Sequence, residues 1–303
     1  MTVFNLGSIN VDRFYRVPRL PSPGETLPAA GLSIGLGGKG ANQSVAVARG
    51  GAKVFQIGMV GPDNGWVVDR LHALGVDTTF IGTSDSPTGH AIINVDDSGE
   101  NAIVTLAGAN FDLSTEHVER ALESAVAGDV FMFQNEVSSK AEAARRAREK
   151  GMTVVYSAAP FREDIVAELL PLVDLLVLNE IEARQLGRAL GVPEDRLPVP
   201  NVLVTRGARG AAWTDTKAGT VLGIPAFEVE PVDTTAAGDC FIGHLVASLD
   251  KGYRREEAMR RAAAASAIKV TRHGAAEAIP TEAEIDTFLA GIETHGKDQR
   301  PSG

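Results

Sequence analysis

The sequence has a single cysteine, Cys240. An internal disulfide and a cysteine-built zinc site are therefore excluded. No apolar run reaches membrane-spanning length. The net charge of −10 leaves no basic surplus, which argues against nucleic acid or an anionic membrane as the main partner. An anionic substrate in a local pocket stays compatible with it. The start, Met1 to Arg13, lacks a basic segment followed by an apolar run, so the cytoplasm is the expected compartment. There is neither an internal repeat nor a low-complexity block. What is there is 303 residues, 44% of them hydrophobic, enough for one large domain or a domain plus a small accessory with a sizeable core.

The stretch that organises the chain is Pro231 to Gly243. It starts extended and ends helical: after Gly238, apolar residues fall at Phe241, Ile242, Leu245, Val246 and Leu249, which is helical spacing. The turn before that helix, Thr234 to Gly238, is made of small residues, so a ligand can approach its backbone. Helix-start N–H groups without internal partners suit a phosphate. Asp239 stands beside them. One reading makes it a base that takes a proton from a hydroxyl attacking the phosphate; the other makes it a first-turn carboxylate favoured by the helix dipole alone. Cys240 follows, where a thiolate would be favoured, but a small core residue is the expected role.

Elsewhere the pattern alternates. Val3–Leu6 reads as a buried strand, 11–36 as extended and turn-rich, and 41–48 as a helix of small residues ending at Gly50-Gly51. Strand Val54–Val60, helix 66–74 and strand 78–81 follow. Residues 88–95 and 102–106 form a hairpin about the 96–101 turn. Helices 114–126, 138–150, 164–170 and 180–190 then alternate with strands 129–133, 152–156, 175–178 and 202–205. That order predicts an α/β fold with a mostly parallel sheet covered on both faces. An antiparallel addition at 210–215 and 220–224 and helices at 238–250, 255–272 and 281–292 complete it, with a frayed polar tail from His295 to Gly303.

Ligands collect at the carboxyl ends of such strands. The polar residues there are Asn10 and Asp12, Gln134-Asn135-Glu136, Asn179-Glu180 with Glu182, Thr205-Arg206-Gly207 and Asp233 to Asp239. Gly35 to Gly40 contains G-x-G-x-x-G, but the first strand ends well upstream at Gly7 and the second ends in Gly58-Met59-Val60-Gly61 without an acid. A dinucleotide site is therefore not expected. Lys39 is followed by Gly40 rather than Ser or Thr, so this is not a Walker A loop either.

Four separated motifs resemble the ribokinase family of sugar kinases, the phosphofructokinase-B type. They are Gly7 to Asp12, Gly37 to Gln43, Asn179-Glu180-Ile181-Glu182 and Asp233 to Asp239. Thr88–Asn110, with Gly99-Glu100-Asn101 and Gly108-Ala109-Asn110, is similar to the family's namesake branch. The likeness runs from Val3 to about Leu289.

The resemblance implies a three-layer αβα domain (1–12, 38–85 and 111–303) and a small β lid (13–37 and 86–110) that covers the sugar and pairs with a second subunit's lid in a homodimer. It implies an ATP-dependent kinase acting on the 5-hydroxyl of ribose. Alternatives are 2-deoxyribose, fructose or a nucleoside as acceptor and, more distantly, a non-catalytic sugar-binding protein. Asn10, Asp12, Gly38, Lys39, Asn42 and Glu136 would hold the sugar, and Asp239 would be the base. The N–H groups of Ala236, Ala237 and Gly238 would receive charge from the transferred phosphoryl group. Asn179, Thr205, Arg206, Gly207 and Gly210 would line ATP, with Mg²⁺ held through water near Asn179 and Glu182. Potassium would bind Asp233 and backbone oxygens of Thr235, Lys269, Arg272 and Gly274. Three residues depart from the family's pattern: Arg206 where an apolar residue is usual, Ala263 where a larger one is common, and Ala278 where a hydroxyl often joins the cation site.

Overall fold

A computed structural model describes residues 1–298, with side chains through Ile292. The chain begins with β1 (Val3–Leu6), β2 (Asn10–Arg16), β3 (Gly31–Gly37), α1 (Lys39–Arg49), β4 (Val54–Val60), α2 (Trp66–Ala73) and β5 (Ile81–Thr83). It continues through β6 (Gly89–Val95), β7 (Asn101–Leu106), α3 (Thr115–Ala121), β8 (Val130–Phe133), α4 (Lys140–Glu149), β9 (Thr153–Ser157) and α5 (Glu163–Leu169). Then come β10 (Leu175–Asn179), α6 (Glu180–Leu190), β11 (Asn201–Thr205), β12 (Ala211–Asp215), β13 (Thr220–Ile224), α7 (Ala237–Asp250), α8 (Arg255–Val270) and α9 (Glu282–Asp298).

The large sheet has nine strands in the order β13-β12-β11-β10-β9-β8-β1-β4-β5. From β11 to β5 every pairing is parallel; β12 and β13 are antiparallel. Strands such as Val130–Phe133 are apolar on both faces because helices cover both. One core, with Val3, Val45, Leu71, Leu245 and Met259, packs α1, α2, α7, α8 and α9 on one side. The other, with Phe4, Phe131, Tyr156, Leu169 and Leu186, packs α3 to α6 on the opposite side. The expected three-layer α/β fold is the one found. A separate four-stranded sheet runs β3-β2-β6-β7. Its strand β2 begins at Asn10, ahead of the boundary read at residue 13, so Asn10 and Asp12 lie on the small sheet.

Some element ends differ from the sequence reading. The strand read at 78–81 is β5 at 81–83, because the Asp77 carboxylate accepts from Thr79 N and Oγ1 at 3.1 and 2.6 Å and folds that stretch into a turn. The helix read to 126 stops at Ala121; Asp129 takes the Val126 N–H at 3.0 Å. The final helix reaches Asp298, past the expected start of a frayed tail, and 299–303 lie outside the described residues. No helix among the described residues is long and apolar enough to cross a membrane.

Candidate active site

Strand order reverses between β1 and β8: β4 and β5 extend one way, β9 to β11 the other. A crevice opens outside the carboxyl ends at such a reversal. Ser8 follows β1 and Glu136 follows β8, and the Ser8 hydroxyl donates to Glu136 Oε2 across it. Lys39, the first residue of α1, lies beside them, with Nζ 3.9 Å from Glu136 Oε1 and its backbone N–H 3.4 Å from Oε2. Gly38 occupies the N-cap position of α1.

Two glycines bring β1, α1 and α7 together. A Cβ on Gly40 would lie 2.3 Å from the Gly7 carbonyl carbon, so only glycine lets α1 start against the end of β1. A Cβ on Gly243 would lie 2.3 Å from the Ala46 Cβ, so α7 presses directly on α1. Asp239, in the first turn of α7, consequently meets α1 side chains: its carboxylate accepts from Asn42 Nδ2 at 3.1 Å and from Gln43 Nε2 at 2.9 Å.

Beneath this pair runs a buried chain of amides. Gln134 Nε2 donates to Gln43 Oε1 at 2.7 Å and to Asn5 Oδ1 at 3.0 Å. Asn5 Nδ2 in turn reaches Gly40 O and Ser44 Oγ, and Ser44 donates to Gln56 Oε1. Every link fixes the next, which holds Gln43 in the orientation that serves Asp239. Asn42 Oδ1 is buried and accepts no hydrogen bond among the described residues. A ligand hydroxyl would satisfy it.

The charges oppose one another. Burial raises the Asp239 carboxyl above the ordinary range; the Lys39 ammonium and the Gln43 and Asn42 amides pull it back toward ionisation. For Lys39, burial would lower the pKa, but the carboxylates of Asp239, Glu136, Glu182 and Asp12 outweigh it and the ammonium is stabilised. Asp12 is pushed up to about 6, first by burial and then by Glu136, with Lys39 opposing. Asn10 is held by Asn110, whose Nδ2 donates to Asn10 Oδ1 at 2.8 Å while its Oδ1 takes the Ile9 N–H at 2.9 Å. The expected sugar-side residues therefore share one crevice.

The turn before α7 has the expected exposed amides, with one change. Ala236 is in the left-handed region (φ 57°), a conformation unfavourable for alanine and held there by its surroundings. Ala237 N donates to Thr234 O at 3.2 Å, whereas the Ala236, Gly238 and Asp239 N–H groups have no acceptor among the described residues. Ser266 Oγ ties α8 to Ala237 O at 3.0 Å.

On the far side, Asn179 and Thr205 are register partners at the ends of β10 and β11. Asn179 caps α6, its Oδ1 accepting from Ile181 N and Glu182 N at 2.9 Å, and Glu182 Oε2 accepts in return from Asn179 N at 2.8 Å. Burial raises the Glu182 carboxyl, the cap bond and Lys39 opposing. Gly207–Arg209 is a single 3₁₀ turn closed by Arg206 N to Gly210 O at 2.8 Å. Arg206 lines a cavity of about 620 Å³ with Arg184, Arg188 and Asp195, beside α6 and β11 to β13, and Asp239 is not part of its lining. Ala263 and Ala278 are both buried, and so is Cys240, whose thiol burial raises.

The residues expected around potassium do converge. The Asp233 carboxylate accepts from Thr235 N at 2.8 Å and Gly274 N at 2.9 Å, and Lys269 O accepts from Arg272 N at 3.0 Å. Arg272 sends its side chain out to Glu284. Lys269, expected to offer only its carbonyl, sends its side chain in: Nζ donates to Asp233 O at 2.8 Å.

Sequence reasoning gave Asn5, Gln43 and Asn110 no role of their own at the site and placed Gln134 only among the polar residues at the strand ends. Gln43 lies inside a quoted motif and Gln134 follows a buried strand, but nothing in spacing shows that they bond to each other.

The pfkB family carbohydrate kinase pattern matches residues 2–282. The chain is 41% identical to the ribokinase of Haemophilus influenzae over 305 aligned positions, 95% of this chain and 98% of that one. The crystal structure of Thermotoga maritima ribokinase superposes with a TM-score of 0.86 at 32% identity, covering 96% of this chain and 99% of that one. Arabidopsis thaliana ribokinase complexed with ribose and ATP gives 0.83 at 27%, covering 95% and 98%.

Proposed function

Because the chain belongs to the pfkB family of carbohydrate kinases, and so transfers a phosphoryl group to a sugar hydroxyl, we propose that it phosphorylates D-ribose at the 5-hydroxyl with ATP. The observation that carries this reading is Asp239, held by Asn42 and Gln43 beside the open N-terminus of α7.

Asp239 takes the proton of the acceptor hydroxyl as that oxygen bonds to the γ-phosphorus and ADP leaves. Its raised pKa makes it a stronger base than an exposed carboxylate, while Lys39 and two amide donors favour its ionised form. The Ala236, Gly238 and Asp239 amides meet the charge on the phosphoryl oxygens. Asn10, Asp12, Asn42 and Glu136 offer acceptors to the other sugar hydroxyls, with Gly38 and Lys39 at the same edge. Ala237 contributes through the shape of the turn.

The nucleotide lies toward Asn179, Thr205, Gly207 and Gly210, with Arg206 next to them in sequence but lining another cavity. Mg²⁺ suits this side: Glu182 is one carboxylate with an oxygen left beyond its cap bond, adequate for an ion that keeps its waters. When bound, the ion neutralises phosphate charge. A need for ATP fits the cytoplasm as the compartment. A coupled ADP-release screen over ribose, 2-deoxyribose, fructose and nucleosides tests the assignment. Ribose should give the highest kcat/KM. A better acceptor would displace ribose alone, and the absence of ADP release with every acceptor would restore the sugar-binding alternative.

The small sheet supports a homodimer. Register places Ile34, Arg13, Ile92 and Val104 in one row across its four strands, and Ile34, Ile92 and Val104 are exposed. Such a patch fits a second copy of the same sheet. Val104→Glu should convert a dimer to a monomer in analytical ultracentrifugation; an unchanged sedimentation coefficient would remove this surface from consideration.

A further inference from the structure

The segment leading into the α7 turn is fastened to the end of α8. Val232 N and Asp233 N both donate to Val270 O, at 2.7 and 3.0 Å. Gly274 N reaches the Asp233 carboxylate from the other side. Among these contacts lies the Lys269 ammonium, bonded to Asp233 O and 3.9 Å from Asp233 Oδ1. Lys269 is completely buried, within a helix stretch otherwise dominated by Ala262 to Ala267 and Ile268. Lysine is almost never buried to this degree unless its charge has a partner. A helix C-terminus accounts for a cation nearby, but not for one turned inward onto the loop.

A free potassium ion fits this arrangement poorly. Both Asp233 carboxylate oxygens already accept an N–H bond, which leaves each with a single lone pair for any further partner. An alkali ion on Asp233 would also sit within a few ångströms of the Lys269 ammonium, whose charge burial disfavours and Asp233 supports, and would take that support away. Ala278 brings no hydroxyl to the set. We propose that the Lys269 ammonium is a built-in monovalent cation, bracing the Asp233–Gly238 turn and making the protein indifferent to potassium. Lys269 is a positioning residue: it holds the backbone that meets the phosphate and touches neither substrate.

The test compares tetramethylammonium chloride with KCl at equal ionic strength. For the wild type, the melting temperature and calorimetric ADP affinity should not respond to the exchange beyond about twofold in affinity. Lys269→Ala should weaken ADP binding about tenfold or more in tetramethylammonium chloride, the scale of a lost charge-assisted hydrogen bond. Its vacated space should let KCl or methylammonium chloride restore affinity and melting temperature. Lys269→Met, which keeps the bulk, should show the loss without the rescue. Potassium-dependent ADP binding by the wild type would overturn the proposal, as would an alanine variant that binds normally or is not rescued. If neither variant folds, the wild-type comparison decides. These readouts involve no sugar, so their failure leaves the choice of acceptor untouched.

Discussion

The two sides of the crevice are built differently. On the acceptor side, Asp239, Asn42, Gln43, Lys39, Glu136 and Asp12 are side chains that bond or bear on one another, with Gln134 and Asn5 buried beneath. On the proposed nucleotide side, Asn179 and Glu182 are occupied by the cap of their own helix, and Arg206 lines a cavity that excludes both. What remains there is mostly backbone. A polyol needs paired donors and acceptors in fixed places, whereas a phosphate is satisfied by helix-start amides. Substitutions should therefore be felt steeply on the first side and weakly on the second.

The largest effect belongs to Asp239. Asp239→Asn should lower kcat by roughly 10²–10⁴ while sugar binding by calorimetry persists. Activity within a few fold of wild type would dissolve the contrast between the sides. Gln43→Leu removes one of the bonds that favours ionised Asp239. The acidic limb of its kcat–pH profile should move to higher pH, and an unmoved limb would mean that Gln43 only fills space.

Asp12 gives the next test. Its carboxyl titrates near 6, so KM for the sugar should rise as pH falls through that value, and Asp12→Asn should flatten the dependence at a raised KM. The linkage to stability has the opposite sense from a salt-bridged acid. A folded-state value above the ordinary range near 4 means that the native protein holds an extra proton between about pH 4 and 6. Stability from this group is thus lost as pH rises through that window. Asp12→Asn should melt higher than wild type at neutral pH, with the difference vanishing below about pH 4.

Gly243→Ala should cost about 1–3 kcal/mol by forcing α7 off α1, read as a lower melting temperature with kcat reduced alongside. At the small end stands Arg206→Ala, which should change KM for ATP by no more than about twofold. A large rise would give the nucleotide side a side-chain reader after all.

The sheet and its helices were legible because near-continuous apolar runs such as Val130–Phe133 alternate with helical spacing. Lys39, Asn42 and Asp239 were legible because they stand in local motifs beside helix starts. The amide chain from Asn5 to Gln43 was not, since its members lie as far as 129 positions apart and meet only through strand order. The inward turn of Lys269 was hidden for a related reason. Residue identity marks a charge near a helix end, but the direction of its side chain is decided by the loop that covers it.

Strand β2 belongs to two parts of the molecule at once. Its first residues, Asn10 and Asp12, lie at the acceptor crevice, and its remainder is an interior strand of the small sheet, paired to β3 and β6 on either side. A hydrogen-bonded strand of this kind is a stiff bar about 20 Å long. Any tilt of the small sheet is therefore also a displacement of Asn10 and Asp12. On the proposed function, grip on the sugar and the opening that releases its phosphate ester would be mechanically one event.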